Sequence, residues 1–442
     1  MKITALSALQ IFDSRGNPTV EAEIELENGV RGAGLVPSGA STGRHEALER
    51  RDGDPKRYRG KSVFGAVASI QGEIAAAIQG RNVFDQGGLD RALIALDGTR
   101  DKSRLGANAI LAVSMAAAKA AAAARGQELF DYLGQGQGVL LPLPEIQVIG
   151  GGKHAQGRID LQDFMVIALG AKSYEETLEI SFNIFHAAAK VLEKRGLLAG
   201  VADEGGYWPL FDRNEDVLGA VLEAIELAGY TPGREAALSL DIASSDLFRD
   251  GFYHLGREKR KFTSEAFAEL MIGWVEKYPI VSIEDPMAED DWAGWQRIRQ
   301  AIGHRCQLVG DDLFTTNLER IEKGIAAGAA NSVLIKLNQI GTVTETIAAI
   351  RRTQQAGWLP VVSARSGETE DAFISHLAVA TNAGQLKVGS FSRSERMVKW
   401  NEVLRIQRRL GSRARFRGAD IFSDAGIGLA QLHPVSKPLP AQ

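Results

Sequence analysis

A chain of 442 residues with a formal net charge of -4 is long enough for two domains, or for one barrel with an addition. Charged residues of both signs make up 24 % of it, and the slight acidic excess argues against a dedicated nucleic-acid binder. A single cysteine, Cys306, excludes an internal disulfide and fits a reducing compartment.

The first stretch, MKITALSALQIFDSRG, lacks the long apolar core and small-residue cleavage site of a secretory signal. No stretch is expected to reach the apolar length of a membrane helix, so the expectation is a cytoplasmic protein with no membrane partner. PTVEAEIELENG then puts Val20, Ala22, Ile24 and Leu26 on one face and Glu21, Glu23, Glu25 and Glu27 on the other, the pattern of a half-exposed strand. Asn28-Gly29 is a hairpin signal, so VRGAGLVPS should return antiparallel. After RDGDPKRYRGK the text turns helical and ends in GANAILAVSMAAAKAAAAARG, an alanine-rich helix stopped by Gly126. Residues 1–133 read as a small α+β capping domain. GQGQGVLLPLPE follows; no strand precedes its glycines and no helix follows them, so 134–142 reads as a linker rather than a nucleotide loop.

From residue 143 to 442 the rhythm changes. ALSLDIA, YPIVSIEDP, CQLVGDDL, NSVLIKLN, LPVVSARS and QLKVGS are short apolar runs that end on polar residues, separated by helical text such as TVTETIAAIRRTQQAG. Strand–helix repetition with continuous apolar strands predicts a parallel sheet. With LQDFMVI and GVADEGG counted as earlier strands the number is eight, and the simplest closure is a (β/α)8 TIM-type barrel. An open doubly wound sheet is the alternative.

In such barrels chemistry is placed at the C-terminal strand ends, which here are Asp163, Glu204, Asp241, Glu284, Asp311, Lys336, Arg365 with Ser366, and Lys387. Carboxylates packed together raise one another's pKa unless a cation neutralises them. Asp241, Glu284 and Asp311, with no cysteine or paired histidine near, suit a hard oxygen-loving ion, Mg²⁺ first. Arg365 and Ser366 lie between a strand predicted over 358–362 and a helix predicted from Glu368, and are placed to hold a phosphate or carboxylate. A lysine near a second ammonium and metal ions is pushed toward neutrality and becomes a usable base.

DSRGNPTVE, PSGASTGRHEALE, DEGGYWP, SIEDP, GDDL, LIKLNQIGT, RSGETED and SRSERMVKWN resemble enolase, the phosphopyruvate hydratase family, over nearly the whole chain. The resemblance implies an enolase-variant barrel with an N-terminal cap, two Mg²⁺ per site, and 2-phosphoglycerate, a small phosphorylated three-carbon acid, as partner. A lysine base working with Mg²⁺ is the pairing known for the enolase superfamily. By the same resemblance Asp241, Glu284 and Asp311 match the first metal's ligands. Ser41, in a closing loop, matches a ligand of the second metal and also adjoins the substrate. Lys336 matches the base at C2, Glu204 the acid at the C3 hydroxyl, and Lys387, Arg365, Ser366, Gln162 and His154 the substrate contacts, with Lys387 and His154 also in the catalytic set. A homodimer is implied, with higher assemblies left open.

Three positions depart from the family's text. Ala364 stands where SHRSGETED has histidine, Asp163 where LQEF has glutamate, and Gly150 where an asparagine opens the Asn-Gly-Gly run; Lys153 has unfamiliar neighbours in consequence. All three departures are expected at the barrel mouth, with Asp163 counted among the catalytic residues. They allow two enzyme readings: a working enolase with a drifted rim, or a paralogue that keeps enolisation and has altered later chemistry, such as carboxyphosphonoenolpyruvate synthase of phosphonate biosynthesis. A non-catalytic scaffold is the reading that so many retained charges oppose. His45, His186, His254, His304, His376 and His433 read as surface or supporting residues, Met115 and Met165 as core, Cys306 as an inert buried thiol, and the tail from Asp424 as loosely ordered.

Overall fold

The computed structural model describes residues 1–40, 42–429 and 432. β1 (Ile3–Phe12), β2 (Pro18–Leu26) and β3 (Arg31–Leu35) make an antiparallel sheet in that order. The alternation in β2 sorts as its pattern predicts, with Val20, Ala22, Ile24 and Leu26 all in the core. Behind β2 and β3 packs the helix Ala107–Ala124. Contrary to expectation, this helix is long and apolar enough to cross a membrane, with mean hydropathy 1.4, but 83 % of it is buried inside the protein. Small alanine side chains let a sheet and a helix approach closely, which explains so apolar a segment at a domain core.

The remaining strands are β4 (Leu143–Gly150), β5 (Asp163–Ile167), β6 (Ala237–Asp241), a small sheet of β7 (Phe248–Arg249), β8 (Phe252–Leu255) and β9 (Arg260–Phe262), then β10 (Ile280–Glu284), β11 (Gln307–Gly310), β12 (Ser332–Ile335), β13 (Leu359–Ser363) and β14 (Gln385–Ser390). Eight of them close a barrel in the order β10-β11-β12-β13-β14-β4-β5-β6. The barrel is not the all-parallel one that the strand–helix rhythm predicts: β5 runs antiparallel to both β4 and β6. The connection from β4 to β5, residues 151–162, holds only a short 3-10 turn, so it cannot carry the chain back to the starting end as a helical crossover does.

GVADEGG is not a barrel strand. Gly205 and Gly206 break the run, and Val201 and Tyr207 form only isolated bridges. The missing strand is β4, whose eight residues are all buried; Pro142 and Pro144 hide it in the sequence as linker text. The segment after β13 also differs. Its helix begins at Phe373, not Glu368, because the Glu368 carboxylate accepts from Arg365 N at 2.9 Å and from Lys399 Nζ at 2.9 Å. Arg396 holds the carbonyls of Arg365 and Ser366 at 2.6 Å each, so the backbone there is committed to a loop.

Met115, Met165 and Cys306 are buried, and burial raises the Cys306 thiol's pKa above its usual value. The chain just after Asp424 is more ordered than expected. Ile427 packs with Ile421 and Phe422 against Leu143, Ile167 and Val281 across the barrel floor. His433 and the rest of that tail, apart from Leu432, lie outside the described residues.

Candidate active site

Asp241 and Glu284 are the last residues of β6 and β10 and stand opposite each other in register. Asp311 and Lys336 directly follow β11 and β12. Lys387 is the third residue of β14 rather than its end, and the register shifts just beyond it. Asp163 opens β5; because that strand is reversed, its first residue reaches the rim that the parallel strands reach with their last. Glu204 sits in the 201–207 loop.

One cavity with about 30 Å³ of free space gathers these groups. Its wall includes His154, Gln162 and Glu204, Asp241 and Asp311, and Lys336, Ala364, Arg365, Ser366 and Lys387. Glu284 and Asp163 are not in the wall. Asp163 and Gly150 are buried behind the lining at that rim, with Asp163 only 1 % exposed, and pair with each other across β5 and β4. Ser41 lies outside the described residues.

Lysines fill the centre. Lys387 Nζ donates to Asp241 Oδ2 at 3.0 Å and Glu284 Oε2 at 2.6 Å, and Asp163 Oδ2 stands 3.5 Å away. Lys336 Nζ donates to Asp311 Oδ2 at 2.6 Å. Burial works against both ammoniums, but the facing carboxylates win: Asp311 holds Lys336 above the usual lysine value, and Asp241 with Glu284 holds Lys387 well above it. The expected shift toward neutrality is for a lysine beside a second ammonium and metal ions; here each lysine is paired with carboxylates, which favour its charged form.

Gln162 Nε2 donates to Asp241 Oδ2 at 2.9 Å. Ser366 Oγ accepts from Ala40 N at 2.7 Å, tying the loop after β13 to the N-terminal domain. The Arg365 guanidinium is 3.0 Å from Glu46 Oε2 and 2.8 Å from Asn338 Oδ1.

The far side of the cavity is arranged differently. His154 Nδ1 lies 3.8 Å from Asp163 Oδ1 and 3.8 Å from Glu204 Oε1, too long for hydrogen bonds. Burial raises Glu204, and Asp163 raises it further. Burial also opposes ionisation of Asp163, but His154 and Lys387 overcome it and bring that group to about 2. Two carboxyls side by side are thus driven apart, one toward the acid and one toward the anion.

Donor atoms close enough to share an ion occur in two groups among the described residues, Asp285 with Asp311 and Asp312, and His154 with Asp163 and Glu204. Asp241 and Glu284 belong to neither, since Lys387 bridges them where a cation would sit. Glu284 Oε1 is nonetheless buried without a hydrogen-bond partner, and the oxygen-only donor set of Asp241, Glu284 and Asp311 fits a hard divalent cation. Sequence reasoning passed over Glu46, Asp285, Asp312 and Gln147. Asp285 and Asp312 are legible as second members of the SIEDP and GDDL pairs; Glu46 and Gln147 are reached only through the fold.

The chain matches the family model for the enolase C-terminal TIM barrel domain over residues 138–425 and that for the enolase N-terminal domain over residues 3–133. It belongs to the enolase family. Enzymes of this family are lyases that typically use Mg²⁺, and the acidic clusters described above could hold such an ion.

Proposed function

We propose that this chain is a Mg²⁺-dependent hydro-lyase that reversibly removes water from 2-phosphoglycerate to give phosphoenolpyruvate. The observation that carries the reading is an opposition across one cavity: two buried ammoniums, Lys336 and Lys387, face the Glu204 carboxyl and His154. Arg365 and Ser366 take the phosphate, with the guanidinium exchanging Glu46 for the ligand's oxygens. Lys336 removes the C2 proton, and Glu204, its pKa pushed up by burial and by Asp163, protonates the C3 hydroxyl as it leaves. The C2–H and C3–O bonds break, the C2–C3 double bond forms, and one water departs. Lys387, Gln162 and His154 orient the carboxylate end. Mg²⁺ held by Asp241, Glu284 and Asp311, with a second ion assisted by Ser41, would supply charge against the dianion and free Lys336 from Asp311. A cytoplasmic homodimer belongs to the same proposal.

A second reading is favoured by Ala364, whose methyl group lines the cavity, and by the retracted Asp163. It keeps the proton abstraction and alters the later step. Incubation with 2-phosphoglycerate and Mg²⁺ tests the first reading. Phosphoenolpyruvate should accumulate and stop on chelation; its absence over long incubation would overturn the dehydration step.

A further inference from the structure

The departures Asp163 and Gly150 lie on neighbouring strands and face each other in register. Between them runs the side chain of Gln147, which is 1 % exposed. Its Nε2 donates to Asp163 Oδ1. Its Oε1 accepts from Gly206 N at 2.7 Å, two residues beyond Glu204. One amide thus joins Asp163 to the loop that carries Glu204.

The surrounding glycines are what make room for this amide. A Cβ at Gly150 would lie 2.6 Å from Ala202 Cβ and 3.2 Å from Gln147 Nε2, and one at Gly206 would lie 2.6 Å from Gln147 Oε1. Any side chain at residue 150 would therefore displace the glutamine or the loop. The loop is bound to β4 by backbone as well, Gly150 N to Tyr207 O at 2.9 Å and Tyr207 N to Val148 O at 2.9 Å. With Gln147 removed from the bridge, Asp163 would keep only Lys387 and His154, at 3.5 Å and 3.8 Å.

We infer that Gln147 is a positioning residue that sets the spacing between Asp163 and the Glu204 loop, and that Asp163, Gly150 and Gln147 form one matched unit rather than independent drift. The inference rests on the proposed roles of Glu204 and Lys336. Its core is a length rule: the glutamine's reach suits an aspartate, and a glutamate at 163 would press its carboxylate into the amide.

A double-substitution cycle tests the rule. Gln147→Asn shortens one partner and Asp163→Glu lengthens the other. Each alone should lower kcat for phosphoenolpyruvate formation about tenfold, the cost of misplacing a reacting group by a fraction of an ångström to an ångström. KM for 2-phosphoglycerate should stay within about twofold, because Arg365 and Ser366 are untouched, and Lys336-dependent exchange of the C2 proton should persist, showing that the fold is intact. The pair together should return kcat at least to its starting value. Losses that simply add, or a Gln147→Asn enzyme with unchanged kcat, would overturn the inference, as would equal loss of exchange and dehydration. If the unmodified protein does not act on 2-phosphoglycerate at all, the proposed function fails while the length rule stays testable. Thermal midpoints should then drop for each single variant and recover in the pair, and additive drops would sink it.

Discussion

The two sides of the site, each counting the residues just behind the cavity lining as well as those in it, are walls built by different means. On one, Asp241, Glu284, Asp311 and Lys336 sit on or next to the ends of consecutive parallel strands, where backbone pairing holds Asp241 and Glu284 on both sides and the strand residue just before Asp311 and Lys336. On the other, His154 and Glu204 ride on irregular connections, and Asp163 starts a strand that runs against its neighbours. On the proposed function the first wall supplies enolisation, and it agrees with the family's text at each position. The second would then meet the leaving hydroxyl, and the departures at Asp163 and Gly150 belong to it, while Ala364 follows β13 between the two walls. A strand end fixes a residue through many hydrogen bonds; a loop residue depends on a few side-chain partners, so its geometry changes when one partner does.

The largest expected effect comes from breaking the first wall. Lys336→Ala should eliminate both C2 exchange and phosphoenolpyruvate formation, a loss of about 10²–10⁴-fold for a general base. Surviving exchange would move the base to Lys387 and merge the two walls. Arg365→Lys removes a planar fork that now pairs with Glu46, and should weaken 2-phosphoglycerate binding by ~10-fold or more, an amount set by a lost charge-assisted pair. Apparent affinity measures it; an unchanged value would take Arg365 out of the phosphate site.

Changes to the second wall should be smaller and selective. Asp163→Glu with Ala364→His restores the family's residues, yet Gln147 now occupies the space that the longer carboxylate needs. Adding Gln147→Asn should be required before dehydration gains on exchange, and rate ratios in the two variants decide it. If the double variant already gains fully, the glutamine does not limit this wall.

The smallest effect concerns neither wall and serves as a control. Glu402 is held down to about 2 although burial opposes it, chiefly by His376 and Arg405. Its folded value lies below the ordinary 4.5, so its contribution is complete above that pH and is lost as pH falls toward 2. Glu402→Gln should flatten the acid loss of stability in that window by no more than ~1 kcal/mol, given partial solvent screening, and should leave the rate ratio alone. Thermal midpoints between pH 5 and 2 check it.

The contrast between the walls also explains what was legible in the sequence. Runs such as YPIVSIEDP announce a buried strand and its terminal carboxylate together, so the first wall could be placed residue by residue. β4 could not, because flanking prolines make a buried strand look like a linker. The reversal of β5 was equally hidden: LQDFMVI has the same apolar run whichever way it points, and only the length of the 151–162 connection carries the direction. Gln147 and Glu46 act through contacts 16 and 319 residues away, a separation at which sequence spacing says nothing.

The central claim is that Lys336 takes the C2 proton of 2-phosphoglycerate and Glu204 assists departure of the C3 hydroxyl, and the second reading alters only the later step. Incubating the protein with 2-phosphoglycerate and Mg²⁺ in heavy water, and monitoring C2 deuteration beside phosphoenolpyruvate, tests it directly. Phosphoenolpyruvate should accumulate at least as fast as deuterium enters C2 of unreacted 2-phosphoglycerate; deuteration that outruns phosphoenolpyruvate would replace the first reading with the second, because the enolate is then returned more often than it loses hydroxide. Neither deuteration nor phosphoenolpyruvate would contradict the central claim.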